Sequence, residues 1–164
     1  MIHIRRATNE DVRELSELAY ESKAYWGYSE AFMEACREDL TITEEQLAST
    51  HLFVLEAGQK IKGFIGLEQD ALQRDKGLVT DLFIHPNAIG QGYGQALWHH
   101  MIAAAQKLGI QTLLVHSDPN AEPFYMRMGA RRIGEIASTI FPGRQLPLLE
   151  FRLESPAQKM QNNT

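Results

Sequence analysis

The stretch HPNAIGQGYGQAL at residues 85–97 constrains this chain more than any other. An apolar run, LVTDLFI, leads into it, and Pro86 stops that run because proline cannot donate to a strand ladder. Glycines then stand at every second position, Gly90, Gly92 and Gly94, before a helical pattern of Leu97, Met101, Ala104 and Leu108 that ends at Gly109. Three glycines cost backbone entropy, so the chain has a use for a bare backbone there. A strand, a glycine turn and a helix N-terminus together form an anion site, where unpaired N–H groups converge and the helix dipole adds partial positive charge. A phosphate or pyrophosphate is the expected guest; the plain alternative is a tight loop. No Lys-Ser or Lys-Thr pair follows, as a P-loop requires, and the spacing is GxGxG late in the chain rather than the early GxGxxG of a dinucleotide fold.

The elements around the loop read as a mixed α/β chain. Ile2 to Arg6 alternates as a strand, and Thr8 with Asp11 caps a helix that carries Val12, Leu15 and Leu18. A second helix runs from about Ser29 through Phe32, Met33 and Cys36, and Thr43 with Gln46 is a capping-box candidate for a short helical turn. LFVLEAGQKIKGFIGLEQ reads as a hairpin broken at 57–60, residues 78–86 as a further strand, and TLLVH at 112–116 as a central strand covered on both faces. Asp118 and Pro119 read as N-cap and N1 of a short helix ended by Gly129, and two last strands span about 130–137 and 147–153. The 164 residues, 44% of them hydrophobic, suit one domain over 1–154, with a polar, disordered tail expected at 155–164. A net charge of -5 argues against a basic grip on nucleic acid, and no window reaches a membrane span. The lone Cys36 excludes an internal disulfide and suits the cytoplasm; it reads as a small buried residue.

LFIHPNAIGQGYGQAL resembles the acetyl-CoA motif of the GNAT N-acetyltransferase superfamily, a Gln or Arg, two residues, Gly, one residue, then Gly or Ala, after a strand ending in V-x-P. IGQGYG at 89–94 supplies both glycines, Gly92 and Gly94, and departs at Ile89, where the pattern has Gln or Arg. About thirty residues on, NAEPFYMRMGA resembles the family's second segment. The resemblance extends from Ile2 to Leu153 and implies a GNAT-like central sheet, mostly antiparallel, splayed at its middle and flanked by about four helices. It implies acetyl-CoA as acyl donor, its pyrophosphate on the N–H groups of Gly90, Gln91, Gly92, Tyr93, Gly94 and Gln95. The pantetheine would pair like an added strand with Leu82, Phe83 and Ile84, in a gap beside TLLVH.

Acetyl transfer to an amine needs a proton acceptor, a donor to the oxyanion and a proton for the leaving thiolate. The resemblance gives Tyr125 the thiol end, since a phenol titrates near 10 and is a donor at neutral pH; the alternative is that Phe124 and Tyr125 anchor the short helix. Asn120 is a candidate contact to the CoA arm or, alternatively, a capping residue beside Asp118. Asp81 and Glu68 are the carboxylates expected to take the ammonium proton, directly or through water. A solvated strand face is the alternative for both, and His85 and His116 are further candidates. His99 and His100 point about 100° apart on a helix and form no metal pair, so no metal site is expected.

The family's acceptor side implicates two further stretches. KAYWGYS holds Tyr25, Trp26 and Tyr28, whose rings can cover an acceptor or hold a cation, and Arg144 at a Pro-Gly turn can pair a carboxylate. Core packing for Trp26 and a surface turn for Arg144 are the alternatives. The expected activity is direct acetyl transfer to a primary amine of a small molecule or peptide in a ternary complex. The alternatives are a non-catalytic CoA-binding module and transfer of another acyl group. The resemblance also suggests a homodimer.

Overall fold

The computed structural model describes residues 1–154, and the tail expected at 155–164 lies outside them. In chain order the elements are β1 (Ile2–Arg6), α1 (Val12–Ala24), α2 (Glu30–Cys36), α3 (Glu44–Ser49), β2 (His51–Ala57), β3 (Lys60–Gln69), β4 (Lys76–Ile84), α4 (Tyr93–Lys107), β5 (Thr112–His116), α5 (Glu122–Arg127), β6 (Arg131–Ala137) and β7 (Gln145–Arg152). Short 3-10 turns precede α1 (Asn9–Asp11) and follow β4 (Pro86–Ala88). The seven strands order as β1-β2-β3-β4-β5-β7-β6. The β1/β2, β2/β3, β5/β7 and β6/β7 pairs are antiparallel, and β4/β5 is parallel. The mixed, mostly antiparallel sheet is therefore as the sequence implied. Among the described residues there are five α-helices, the addition to the expected four being α3. Thr43 caps it, accepting from Gln46 N–H at 3.1 Å, and the short helical turn expected there extends to six residues.

The described residues form two compact units, one of 1–67 with 81–101 and one of 68–80 with 102–154. In the first, Leu15, Leu18 and Ala19 of α1, Phe53 to Leu55 of β2, Phe64 and Ile65 of β3, and Leu97 and Trp98 of α4 are buried. Each such large apolar side chain contributes about 1.5–3 kcal/mol on leaving water. The buried stripe of α4 is Leu97, Trp98, Met101 and Ala105, whereas Ala104 and Leu108 are only half-buried. The stripe thus lies one position round the helix from the expected one, pulled by the indole of Trp98. Cys36 is buried, as a small apolar residue would be.

In the second unit β5 buries Leu113 and Val115, while Thr112 and Leu114 are half-buried. One face is sealed and the other is not, which corrects the expectation of a doubly covered strand. Asp118 does not cap α5, whose N-cap is Ala121. Its Oδ1 instead accepts from Asn120 N–H at 2.8 Å and from Asn120 Nδ2 at 3.0 Å. Aspartate serves an Asx turn and a helix cap with the same oxygen, so the sequence leaves the two undistinguished.

An ion-pair triad ties β1 to β2 and to the turn before α1. The Arg5 guanidinium donates to both oxygens of Asp11, at 2.8 and 3.0 Å, and to Glu56 Oε1 at 2.7 Å. Asp11 Oδ2 also accepts Thr8 N–H at 2.7 Å. The Arg5 hydrogen bonds, with help from Thr8, hold the buried Asp11 carboxyl below its ordinary value. A depressed carboxyl stabilises the fold above its unfolded value, near 3.9, and that stability is lost as pH falls through the folded value. Asp11→Asn is accordingly expected to lower the unfolding free energy by about 2 kcal/mol at pH 7. Urea titrations at pH 7 and pH 3 check it: the gap between variant and parent should shrink at pH 3, and a gap independent of pH contradicts it.

Candidate active site

In the loop between β4 and α4, two of the three glycines take a left-handed backbone, and Gly94 lies in the first turn of α4. Gly90 has φ +86° and Gly92 φ +80°, and a Cβ added at either would meet no heavy atom within 4 Å. Glycine is therefore needed for the left-handed backbone and not for crowding within the chain, and the space over both residues is open. Ala96 N–H donates to Gly92 O at 3.1 Å, so Tyr93, Gly94 and Gln95 precede that rung of the α4 ladder and their amides belong to the orphan first turn. Gly90, Gln91, Gly92 and Gln95 are exposed; Tyr93 and Gly94 are half-buried. Amides left over at the head of a 15-residue helix suit a pyrophosphate.

The strand leading into the loop has two distinct halves. In the second unit, parallel pairing joins Lys76–Val79 to Thr112–Val115. In the first unit, Leu82, Phe83 and Ile84 continue β4 and are all half-buried. Close approach to β3 holds this end: a Cβ at Gly63 would lie 2.6 Å from Ile84 Cδ1 and 2.9 Å from Phe83 O, and His85 N–H donates to Lys62 O at 2.8 Å.

Side chains alternate across a strand, so Asp81 and Phe83 share one face of β4, and His85 follows just past its end. Helices α1 and α3 reach these residues. Gln46 Nε2 of α3 donates to Asp81 Oδ2 at 2.9 Å, the Phe83 ring lies 5.6 Å from Phe64, and His85 Nε2 lies 3.0 Å from Glu21 Oε2 of α1. His85 Nδ1 accepts from Asn87 N–H at 3.2 Å, which assigns the imidazole proton to Nε2 and makes the Glu21 contact a donated hydrogen bond. Sequence reasoning did not find Gln46, Glu21 or Asn87. Gln46 carried a local signal only, its spacing from Thr43.

The aromatic stretch after α1 divides in two. Tyr25 and Trp26 are exposed and meet edge to face at 5.6 Å, so Trp26 is not a core residue. Tyr28 is half-buried and stacks on Phe32 at 4.2 Å, with Lys23 Nζ 5.5 Å from the Tyr28 ring.

Five candidates belong to the second unit, one of them His116, exposed at the end of β5. Tyr125 of α5 is 6% exposed. Phe124 is half-buried, so Tyr125 is the more deeply packed of the pair, their rings 5.5 Å apart. Asn120 is engaged by Asp118, and Glu68 is exposed at the end of β3. Arg144 is half-buried in the β6–β7 loop, where Ser138 N–H donates to its carbonyl at 2.8 Å. Among the described residues no group of three or more His, Cys, Asp or Glu could hold a metal ion, and no helix is long and apolar enough to cross a membrane.

The family model of the acetyltransferase (GNAT) domain matches residues 9–139. The chain belongs to the GNAT acetyltransferase family. Its fold is similar to that of PaiA N-acetyltransferase from Thermoplasma acidophilum, solved with coenzyme A, at 21% identity, covering 93% of this chain and 99% of that one with a TM-score of 0.77. It is also similar to the ribosomal-protein-S18-alanine N-acetyltransferase of Escherichia coli, at 18% identity, with coverages of 94% and 95% and a TM-score of 0.68. N-acetylglutamate synthase of Neisseria gonorrhoeae, solved with coenzyme A and N-acetyl-glutamate, aligns at 22% identity over 94% of this chain and 35% of its own, with a TM-score of 0.69. Identities this low speak for the GNAT fold alone. No curated protein sequence matches the chain. Family and fold together support an acyl-CoA acetyltransferase.

Proposed function

We propose that this protein transfers an acetyl group from acetyl-CoA to a primary amine of a small molecule or peptide, by direct attack in a ternary complex. The observation that carries the reading is the open, left-handed loop at Gly90 and Gly92 ahead of α4. In it the diphosphate of the donor rests on the amides of Gly90 to Gln95. Its pantetheine extends along Leu82, Phe83 and Ile84, and the Asn120 side chain contacts the arm. Ile89 offers no side-chain donor to phosphate, which leaves the backbone cradle in place.

The chemistry follows from the residues. Asp81 is the chosen base, because it is half-buried and tethered by Gln46, whereas Glu68 is exposed and becomes the alternate. The acceptor R–NH3⁺ gives one proton to Asp81, and the amine nitrogen bonds to the thioester carbonyl carbon. The tetrahedral oxyanion collapses, the C–S bond breaks and the nitrogen sheds its second proton to solvent. The thiolate takes a proton from the Tyr125 phenol, which solvent restores. Asp81 releases its proton to solvent, and the products are the acetamide, the CoA thiol and that one net proton. Tyr25, Trp26 and Tyr28 are the acceptor's aromatic wall, and Arg144 is the partner for a carboxylate on it. The similar proteins carry names of both protein and amino-acid acceptors, which fits an acidic or peptide amine without choosing between them.

Release of CoA thiol from acetyl-CoA over a panel of amino acids, polyamines and short peptides tests the proposal. Amine-dependent release is expected, with Arg144→Ala raising KM about tenfold for carboxylate-bearing acceptors only, the loss of one charged hydrogen-bond pair. Saturable CoA binding with no release over the whole panel would identify a CoA-binding module and overturn the proposal.

A further inference from the structure

Gln46 stands three residues after the N-cap Thr43, where the pair has the spacing of a capping box. Half of the box is present: Gln46 N–H donates to Thr43 Oγ1 at 3.1 Å. In a full box the glutamine side chain folds back on the N-cap backbone. Here the Gln46 side chain reaches β4 instead, its Nε2 donating to Asp81 Oδ2 at 2.9 Å across 35 positions of sequence. An ionised carboxylate only accepts, so the amide must present its NH2 side. Both residues are half-buried, where such a bond is screened less than at the surface. The acidic neighbours on the same helix, Glu44 and Glu45, are exposed. Just past the end of β4, His85 faces Glu21 of α1.

We infer that Gln46 is a positioning residue for the proton-accepting carboxylate: it fixes Asp81 in one rotamer and keeps it ionised between turnovers. The inference rests on Asp81 being the base of the proposed reaction. A donor to the charged form of an acid favours that form, and a rigid rotamer holds the accepting oxygen near one line of approach. A glutamine does this without adding charge. A carboxylate in its place would compete for the proton, and a lysine would pair too strongly to let the acid take it.

Gln46→Met keeps the length and packing of the side chain and removes the donor; Gln46→Glu replaces the donor with a like charge. The Asp81 carboxyl carbon, followed by NMR through a pH titration, needs no acceptor. Its midpoint should rise by about one pH unit in Gln46→Met and further in Gln46→Glu. The acid limb of kcat should move the same way, measured with the panel amine of highest turnover at saturating acetyl-CoA, while KM for acetyl-CoA stays unchanged. An unmoved Asp81 midpoint in a folded Gln46→Met protein, or a lowered kcat with the acid limb in place, reduces the contact to a tie between α3 and β4 and overturns the inference. If Gln46→Met fails to fold, Gln46→Glu decides by the same two readouts. Asp81→Asn separates the failures: wild-type transfer by that variant removes Asp81 as base, and the role of Gln46 with it. Loss of transfer there, with Gln46→Met unaltered, removes the inference alone.

Discussion

Replacing Tyr125 by phenylalanine is expected to lower kcat about a hundredfold while leaving acetyl-CoA affinity within about threefold. The reasoning begins with burial. Tyr125 is 6% exposed in α5, and its ring meets Phe124 edge to face at 5.5 Å. Its backbone carbonyl accepts from Ala130 N–H at 3.0 Å, closing the helix against Gly129. All of these features survive loss of the hydroxyl, so the unfolding free energy should change by no more than about 1 kcal/mol. What the variant loses is a proton for the departing thiolate. Donation in the transition state without donation in the ground state appears in kcat and not in binding. Steady-state kinetics beside a calorimetric titration of CoA separate the two. An unchanged kcat removes Tyr125 from the chemistry and leaves it as the anchor of α5.

How much of this was legible in the sequence depended on whether the physics left a local mark. A left-handed backbone does so because L side chains resist it, and Gly90, Gly92, Gly109 and Gly129 all have positive φ where the sequence demanded a turn or a stop. Pro86 likewise ends β4 and opens the 3-10 turn. The β-rich run broken at 57–60 marks the hairpin of β2 and β3 within two residues. The misses share a cause: one side chain had two legitimate uses. Asp118 has the position of a helix cap and makes an Asx turn. Gln46 has the spacing of a capping box and binds Asp81. Trp98 sits beside the expected stripe of α4 and takes it over by sheer size. Tethers such as Gln46 to Asp81 and Glu21 to His85 join residues far apart in the chain, and no periodicity announces them. Between Asp81 and Glu68 the sequence offers only position, Asp81 standing one residue before the Leu82–Ile84 segment; burial and a partner distinguish them further.

The second large effect is expected at Gly92. Valine there would have to adopt φ near +80°, which costs about 1–2 kcal/mol or somewhat more for a β-branched residue. Its side chain would also enter the open space over the loop, where the account puts the diphosphate. CoA affinity should fall at least about a hundredfold, close to 2.8 kcal/mol. Gly109→Val is the control, because Gly109 has φ +79° and equally open surroundings just beyond the other end of α4. It should lose similar stability and keep its affinity for CoA. The most direct measurement is an amide-resolved NMR titration of the 15N-labelled wild-type protein with CoA, repeated on Gly92→Val. The amides of Gly90 to Gln95 and of Leu82, Phe83 and Ile84 should shift together along one saturating curve, and Gly92→Val should abolish that curve. Amides at both stretches that stay in place while CoA binds elsewhere, or that do not move even at millimolar CoA, would contradict this placement of CoA.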